Sequence, residues 1–278
     1  MKEGFSYFPA PAKLNLFLHV TGRRADGYHL LQTVFRFVDF GDEIGLRVRE
    51  HGEVCRVGEV ADVTEADDLT VKAARLLKRV SASPLGADID LIKRLPVGSG
   101  LGGGSSDAAT TLIALNRLWA TGLSREQLQV LALQLGADVP VFVFGRSAFA
   151  EGVGERLQEV RLEPAWYLVI SPQVAVSTAE IFAAPELTRT TKAIKIAAFS
   201  IGQGHNDLQP VACMRHPQIA RCLDWLGQFG KAAMTGSGGS VFVAFADETS
   251  ARTALEQAPP DMHGFVARGL DRHPLYDG

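Results

Sequence analysis

The segment GSGLGGGSSDAA, residues 98–109, lies between a predicted strand and a predicted helix, and the rest of the chain is best interpreted around it. Glycine lacks a Cβ atom, so several backbone N–H groups of such a loop can face one point. The helix that follows adds its positive N-terminal end to the same region. The segment therefore predicts a cradle for an anion such as a phosphate.

The flanking segments support this order of elements. Residues 88–91 alternate polar and apolar side chains, which is typical of a strand. After the loop, Ser105 and Ser106 are good helix caps, and Gly122 stands where a helix would stop. Apolar side chains recur there every three or four residues, at Ala108, Leu112, Leu115 and Trp119. The predicted order is strand, glycine loop, helix.

Two better-known phosphate loops do not fit. Gly98, Gly100 and Gly103 satisfy the bare GxGxxG pattern, but a dinucleotide fold needs an acidic residue about twenty positions later, and residues 115–125 contain none. A P-loop needs lysine where this chain has Gly104. A flexible linker is disfavoured because a capped amphipathic helix follows directly. A third kind of nucleotide loop is left.

Four segments in order resemble the GHMP kinases, named for galactokinase, homoserine kinase, mevalonate kinase and phosphomevalonate kinase. They are PAKLNLFLHVTGRRADGYHLLQTVF at 11–35, LPVGSGLGGGSSDAA at 95–109, LGADVPVF at 135–142 and MTGSGGSVF at 234–242. The resemblance implies an α+β protein with the GHMP kinase fold. Its N-terminal domain would be similar to the second domain of ribosomal protein S5, its C-terminal domain would be ferredoxin-like, and the active site would lie in the cleft between them.

Patterning alone agrees with a mixed fold. Segments with strand-like alternation are interspersed along the chain with segments of helical spacing. The length of 278 residues corresponds to about two domains. The polar stretch at 151–160 is the best candidate for a domain boundary. We therefore expect an N-terminal ATP-binding domain over residues 1–160 and a C-terminal domain over residues 161–278.

Composition limits the function classes. The net charge of −3 argues against a nucleic-acid partner, and no apolar run approaches the length of a membrane span, so we expect a cytoplasmic protein. Three widely separated cysteines, Cys55, Cys213 and Cys222, indicate neither a disulfide framework nor a zinc site. No protein-held metal site is predicted. The sequence leaves open whether the protein is a monomer or a homodimer.

Two residues are candidates for catalysis. Lys13 shares one face of a predicted strand with Asn15, because strand side chains alternate; by pattern alone Lys13 fits an exposed edge strand. Asp138 precedes Pro140, which by itself suggests a helix or turn cap. The resemblance instead implies that Lys13 and Asp138 form a catalytic pair. The carboxylate would position and deprotonate an alcohol, and the ammonium would offset charge on the transferred phosphoryl group.

The resemblance also implies ATP as cosubstrate, with Mg²⁺ carried by ATP. The amides of residues 101–106 would hold the β- and γ-phosphates, and Ser105, Ser106 or Asp107 could contact the metal. Asp107 and Asp68 depart from the asparagines more familiar in the family, and their roles are open at this stage. The predicted ATP-binding residues are Pro96, Gly98, Gly100, Leu101, Gly102, Gly103, Gly104, Ser105, Ser106 and Asp107, with Asp68 and Lys93 near the nucleoside.

The phosphoryl acceptor implied by the resemblance carries a cytidine diphosphate group. Tyr28 and His29 would surround the cytosine, with Phe182 on the opposite face. The plain alternative is core packing for Tyr28 and Phe182, and a solvent-facing turn position for His29. Thr178 would reach the diphosphate or the sugar alcohol, or serve only as a helix cap. The complete predicted set is Asn15, Tyr28, His29, Thr178, Phe182, Gly236, Ser237 and Gly238.

Three functions compete at this stage. The first is a kinase for a cytidyl sugar alcohol in non-mevalonate isoprenoid precursor synthesis. The second is a GHMP kinase for a smaller alcohol such as homoserine or mevalonate, which would be indifferent to the cytidyl group. The third is a non-catalytic nucleotide-binding regulator, which loss of Lys13 or Asp138 would favour; both are present.

Overall fold

The computed structural model describes residues 2–58, 63–195 and 204–276. The strands are β1 Ser6–Arg23, β2 His29–Arg49, β3 Val54–Arg56, β4 Gly86–Ile92, β5 Ala148–Glu151, β6 Arg156–Glu159, β7 Trp166–Ile170, β8 Ala233–Met234, β9 Val241–Phe245 and β10 Gly264–Leu270. The helices are α1 Leu69–Ser81, α2 Gly103–Leu118, α3 Arg125–Leu135, α4 Val139–Phe144, α5 Thr178–Ala183, α6 Gln209–Arg215, α7 Pro217–Leu226 and α8 Glu248–Glu256.

A long hairpin of β1 and β2 organises the sheet. Strand β2 pairs with β1, β4, β5 and β10, and β10 pairs in turn with β7. The main path of the sheet is β3-β4-β2-β10-β7-β9-β8; β1 and β5 pair with β2 off this path, and β6 pairs with β5. The junction is short, with Gly269 opposite Val38 and Leu270 opposite Phe37. One mixed sheet therefore connects the two halves of the chain.

Helices cover the sheet in two groups. Helices α1 to α4 pack with β2 and β4 around one core, and α5 to α8 pack with β7 and β9 around another. A third apolar cluster, with Leu14, Val34 and Tyr167, lies where the halves meet. The chain end returns to the N-terminal half, where the amide of His273 donates to the carbonyl of Gly145 over 3.0 Å. The domain boundary at 160/161 stays a prediction.

The glycine loop follows a strand and precedes a helix, as the sequence predicts, but the helix bounds differ. Helix α2 begins at Gly103 with Gly102 as its cap, at a φ of 75°, and it ends at Leu118 rather than near Gly122. Ser105 and Ser106 lie inside the first turns. The Ser106 hydroxyl donates instead to the carbonyl of Pro11 over 2.7 Å, so tertiary packing overrides its capping preference.

Within the described parts of the chain, no helix is long and apolar enough to cross a bilayer. Cys55, Cys213 and Cys222 are free thiols, of which Cys222 is buried.

Helix α1 offers a test of the N-terminal core. Leu77 is fully buried there, whereas Val80 on the same helix is 51% exposed. Replacing Leu77 by alanine leaves a cavity, and we expect the free energy of unfolding to fall by about 2–5 kcal/mol. Val80→Ala is the matched control and should change it by no more than about 0.5 kcal/mol. Urea unfolding measures both, and equal effects would contradict this assignment of the core.

Candidate active site

Two cavities meet at one group of side chains. The larger has a volume of about 470 Å³ and is bounded by the glycine loop and α1; the smaller has about 280 Å³ and extends toward Phe182. A cavity of this size suits a small-molecule ligand. Both are lined by the same six residues: Lys13, Ser105, Asp138, Thr178, Gly236 and Ser237.

Lys13 is the buried cation at this junction. Its side chain is only 2% exposed, so the edge-strand interpretation is wrong. The ammonium donates to Asn15 Oδ1 over 2.6 Å and to the carbonyl of Gly100 over 2.9 Å, and it lies 3.2 Å from Asp138 Oδ2. A buried charge needs such partners because desolvation strongly disfavours it.

Asn15 is fixed in its turn by two threonines. Its side-chain amide donates to Thr33 Oγ1 over 2.9 Å, and its backbone N–H donates to Thr235 Oγ1 over 2.9 Å. Both amide atoms of the side chain are thus engaged, which orients Oδ1 toward Lys13. Thr33 and Thr235 were not singled out from the sequence, because a threonine in a strand is ordinary.

Asp138 occupies the N-cap position of α4 without acting as a cap. Its side chain makes no hydrogen bond to the helix, and Pro140 in the first turn lacks one of the N–H groups that a cap would satisfy. The capping interpretation is therefore wrong for the side chain. With 39% of its side chain exposed, the carboxylate both contacts Lys13 and faces the cavities.

The glycine loop comes very close to other backbone and to Lys13. Gly98, Gly100 and Gly102 all have positive φ. A Cβ atom on Gly100 would lie 2.3 Å from the carbonyl oxygen of Thr235, and one on Gly102 would lie 3.0 Å from Lys13 Cε. Any larger residue at Gly100 would therefore collide with backbone.

Most of the predicted ATP-binding residues line the larger cavity. These are Asp68, Lys93, Pro96, Gly98, Gly100, Gly102, Gly103, Gly104, Ser105 and Asp107. Leu101 and Ser106 do not, since both are fully buried. The amide of Ser106 donates to the carbonyl of Gly102 over 2.8 Å within the helix, so that N–H is already used.

The third motif packs against the glycine loop. A Cβ atom on Gly238 would lie 2.2 Å from the backbone nitrogen of Gly100, and the amide of Ser240 donates to the carbonyl of Ser99 over 3.0 Å. Gly236 and Ser237 line both cavities, whereas Gly238 serves this loop contact. The two loops from the two halves of the chain interlock.

Thr178 faces Ser237 across the cleft. Their hydroxyl oxygens lie 2.6 Å apart, and both residues line the two cavities. The N-cap of α5 is Ser177, whose hydroxyl accepts from the amide of Glu180. The capping alternative for Thr178 is therefore wrong, because the cap is the residue before it.

Lys93 lies between two carboxylates on the floor of the larger cavity. It is paired with Asp42 and donates to Asp107 Oδ2 over 2.9 Å. Asp42 Oδ1 also accepts from the amides of Arg94 and Leu95, over 2.6 and 2.8 Å. Burial acts to lower the pKa of Lys93, but Asp107 and Asp42 raise it by more, so the pKa of Lys93 lies above its ordinary value. Asp42 lies inside β2, and the sequence carries no signal that marks it.

Asp107 is the unusual member of this group. Its Oδ1 is buried and has no hydrogen-bond partner among the described residues. Burial and the neighbouring Asp42 raise the pKa of Asp107, whereas the charge of Lys93 lowers it; the resulting pKa is about 8. At neutral pH this carboxyl is therefore mostly protonated.

Asp68 has both carboxylate oxygens engaged. It caps α1 by accepting from the amide and hydroxyl of Thr70, over 2.8 and 2.7 Å, and Arg56 donates to its other oxygen over 3.0 Å. Beside it the cavity has an apolar wall, of which the sequence analysis named only Pro96; the other members are Val63, Leu69, Leu91 and Val97.

The aromatic residues are only partly brought together. The rings of His29 and Phe182 lie 5.0 Å apart with an interplanar angle of 31°, and Phe182 lines the smaller cavity. Direct contact leaves no room for a base between these two rings, so the expectation that they face each other across a cytosine is wrong for this conformation. Tyr28 is 66% exposed at the β1–β2 turn and lines neither cavity.

His29 is held by an arginine that the sequence analysis did not single out. Arg189 Nε donates to His29 Nε2 over 3.1 Å. Burial, followed by the charges of Arg189 and Arg23, lowers the pKa of His29. The imidazole is therefore neutral at neutral pH.

Comparison with known proteins confirms the resemblance. The family model described as GHMP kinases N terminal domain matches residues 68–146, and the model described as GHMP kinases C terminal matches residues 185–262. The 4-diphosphocytidyl-2-C-methyl-D-erythritol kinase of Thiobacillus denitrificans is 63% identical over 270 residues, which are 97% of each chain. Its counterpart from Nitrosospira multiformis is 60% identical over 272 residues, covering 97% of this chain and 92% of the relative.

Solved structures agree. The crystal structure of a 4-(cytidine 5'-diphospho)-2C-methyl-D-erythritol kinase is 32% identical with a TM-score of 0.83, covering 95% of this chain and 99% of the other. A homoserine kinase from Cytophaga hutchinsonii, 17% identical with a TM-score of 0.70 over 98% and 96% of the two chains, shares the fold. Because both family models match in order and close relatives align over nearly the whole chain, the protein belongs to the GHMP kinase family and is a kinase.

Proposed function

We propose that the protein transfers the γ-phosphoryl group of ATP to the 2-hydroxyl of 4-diphosphocytidyl-2-C-methyl-D-erythritol, giving the 2-phosphate and ADP in non-mevalonate isoprenoid precursor synthesis. The observation that carries the proposal is the contact between Lys13 and Asp138 at the junction of two cavities. The larger cavity, at the glycine loop, suits a nucleoside triphosphate, and the smaller cavity extends to Phe182. The names of the close relatives supply the substrate.

The chemistry needs a base and a positive charge at one point. The acceptor hydroxyl oxygen attacks the γ-phosphorus, the bond to the β,γ-bridging oxygen breaks, and ADP leaves. Asp138 takes the hydroxyl proton, and Lys13 both orients that carboxylate and offsets charge on the transferred group. Asn15 and the Gly100 carbonyl keep the ammonium at this position.

The larger cavity has the features that ATP requires. Gly98, Gly100 and Gly102 carry no side chains that would cover the backbone N–H groups of the loop, and the N-terminus of α2 lies beside them. The apolar wall near Leu69 and Val97 suits a purine ring. Asp68 would contribute through the helix it caps, since its oxygens are already bonded.

Mg²⁺ would enter bound to ATP and neutralise charge on its phosphates. Of the three residues considered from the sequence, Ser106 has its hydroxyl committed to Pro11, while Ser105 and Asp107 line the cavity. The unpartnered Oδ1 of Asp107 is a hard oxygen ligand of the kind that Mg²⁺ prefers. Ser105 and Asp107 are therefore the residues that would hold the metal.

No structural observation favours the competing functions. The similarity to the homoserine kinase shows the fold alone, and the contact between Lys13 and Asp138 supports a catalytic protein over a non-catalytic regulator. A cytoplasmic location, and a monomer or homodimer that acts on small molecules without nucleic acid, stay part of the proposal.

The substrate assignment predicts a selective acceptor. ADP release by the purified protein with Mg-ATP should occur with 4-diphosphocytidyl-2-C-methyl-D-erythritol and not with homoserine or mevalonate, because only the first compound fills the cavity next to Phe182. Parallel coupled assays measure this. Turnover with a small alcohol alone would contradict the cytidyl substrate while leaving the catalytic pair intact.

The catalytic pair predicts a specific loss in Asp138→Asn. Asparagine cannot take the hydroxyl proton, so we expect kcat to fall by about 10²- to 10⁴-fold. ATP binding measured by calorimetry should survive, because the glycine loop is unchanged. Asp224→Asn, on the exposed face of α7, is the control and should keep full activity. Near-normal turnover of Asp138→Asn would show that another group is the base.

Asp107 predicts a pH-dependent change in stability. The pKa of Asp107 is about 8 in the folded chain, against an ordinary value of 3.8. Between about pH 4 and about pH 8 the folded chain therefore holds a proton that the unfolded chain lacks. Because of this difference, the free energy of unfolding falls as the pH rises through that range. Asparagine does not titrate. The stability of Asp107→Asn relative to the unsubstituted protein should therefore increase from about pH 4 to about pH 8, measured by urea unfolding.

Asp90 supplies a control of opposite sign for that experiment. Although partial burial raises it, hydrogen bonds from Lys2 and Tyr7 lower the pKa of Asp90. Asp90→Asn should accordingly lose stability relative to the unsubstituted protein at neutral pH, and this loss should shrink in acid. A flat pH profile for Asp107→Asn would show that Asp107 is ionised in the folded chain.

A further inference from the structure

Asn206 connects strand β1 to the turn of residues 234–236, which begins the third motif. Its backbone forms an isolated parallel bridge with Leu18 of β1, and the residue is only 2% exposed. The nitrogen of its side-chain amide donates to the carbonyls of Met234 and Gly236, each over 2.8 Å, and its Oδ1 accepts from the amide of Leu208 over 2.9 Å. Only the nitrogen of an amide can donate, so the two carbonyls determine how this side chain is oriented. One buried side chain therefore holds both ends of the turn.

Thr235 lies between those two carbonyls, and its hydroxyl reaches the partners of Lys13. The hydroxyl accepts from the amide of Asn15 over 2.9 Å and lies 3.5 Å from Asn15 Oδ1 and 3.5 Å from the carbonyl oxygen of Gly100. These are the same two oxygens to which the Lys13 ammonium donates. Thr235 is fully buried, so its hydroxyl depends on these protein groups for its hydrogen bonds. A displaced Thr235 would therefore disturb both acceptors of the ammonium.

Gly236 brings the same turn directly beside the charge. Its φ is 60°, and a Cβ atom on it would lie 3.3 Å from Lys13 Nζ and 3.0 Å from the carbonyl oxygen of Gly100. The carbonyl of Gly236 is one of the two that Asn206 holds. Because a close-packed interior transmits small displacements, a shift of this turn would reach the lysine.

We propose that Asn206 is a positioning residue for phosphoryl transfer: by holding the carbonyls on both sides of Thr235, it fixes the two acceptors of the Lys13 ammonium. The proposal rests on the proposed function, in which that ammonium acts on the transferred phosphoryl group. Asn206 lines neither cavity, so it acts through Thr235 and not by contact with ATP or the acceptor. The C-terminal half of the chain would thus control a lysine that belongs to the N-terminal half.

The kinetic test compares two variants that break the connection at different points. Asn206→Ala removes the donors from two buried carbonyls and also lowers stability, so Thr235→Val, which keeps the side-chain shape and removes only the hydroxyl, is the second variant. In both we expect kcat to fall about ten- to hundredfold, because Lys13 is no longer held in its productive position. The KM for ATP should stay unchanged, since the lost interaction belongs to the transition state. Thr235→Ser restores the hydroxyl and should recover most of the loss; an unaffected kcat in Thr235→Val would overturn the proposal.

Gln209 provides the matched control, because it binds the same strand without holding the turn. Its Oε1 accepts from the amide of Met234 over 2.9 Å. Gln209→Ala should lower the free energy of unfolding, measured with urea, and leave the kcat of the folded protein unchanged. If Gln209→Ala loses as much kcat as Asn206→Ala, any weakening of β8 has this effect, and the positioning role of Asn206 is wrong.

A double variant tests the route. In a Thr235→Val background, Asn206→Ala should lower kcat by much less than it does alone, because its effect passes through Thr235. Fully additive losses of kcat would mean that the two residues act independently, which would contradict the proposal.

The position of Lys13 can also be followed without substrate. Side-chain ¹H–¹⁵N NMR detects the ammonium of a buried lysine, and Lys13→Arg identifies its signal by the loss of that signal. We expect the signal to shift in Asn206→Ala and Thr235→Val and to stay in place in Gln209→Ala. An unchanged signal in the first two variants would overturn the proposal. If the unsubstituted protein does not phosphorylate the cytidyl substrate, the proposed function fails, whereas the NMR result still decides whether Asn206 positions Lys13.

Discussion

The buried ammonium of Lys13 is the constraint on which the rest of the site depends. An isolated charge in a protein interior is strongly disfavoured, so the fold must bring acceptors to it. Its partners come from three separate parts of the chain: Asn15 in β1, the carbonyl of Gly100 in the glycine loop, and Asp138 at the start of α4. Satisfying one charge therefore fixes β1, the glycine loop and Asp138 relative to each other.

The same requirement explains why the two glycine motifs must lie close together. The Gly100 carbonyl accepts from Lys13, and its loop lies so close to Thr235 and Gly238 that a Cβ atom on Gly100 or Gly238 would collide with backbone. Thr235 in turn accepts from the amide of Asn15. The glycines thus act through close approach, and the C-terminal half takes part in positioning Lys13.

Sequence reasoning predicts what is local and misses what depends on tertiary contacts. Strand alternation places Lys13 with Asn15, and the glycine loop does open a helix, because both follow from short-range geometry. The same reasoning misplaces the caps and misses Asp42 and Arg189, whose partners lie 51 and 160 residues away. It also expects a gap between His29 and Phe182, a matter of packing that composition and spacing cannot specify.

Charge balance resolves the apparent conflict of an aspartate in a phosphate cradle. Lys93 is shared by Asp42 and Asp107, and Asp42 also accepts hydrogen bonds from two backbone amides. If Asp107 were also charged, the group would be anionic beside the bound phosphates. With Asp107 protonated, as its raised pKa indicates, the three side chains are neutral together, and the positive end of α2 is left to attract the nucleotide. Asp107 Oδ1 would be the oxygen offered to a metal carried by the nucleotide, and holding a metal there would require the ionised form of this carboxyl.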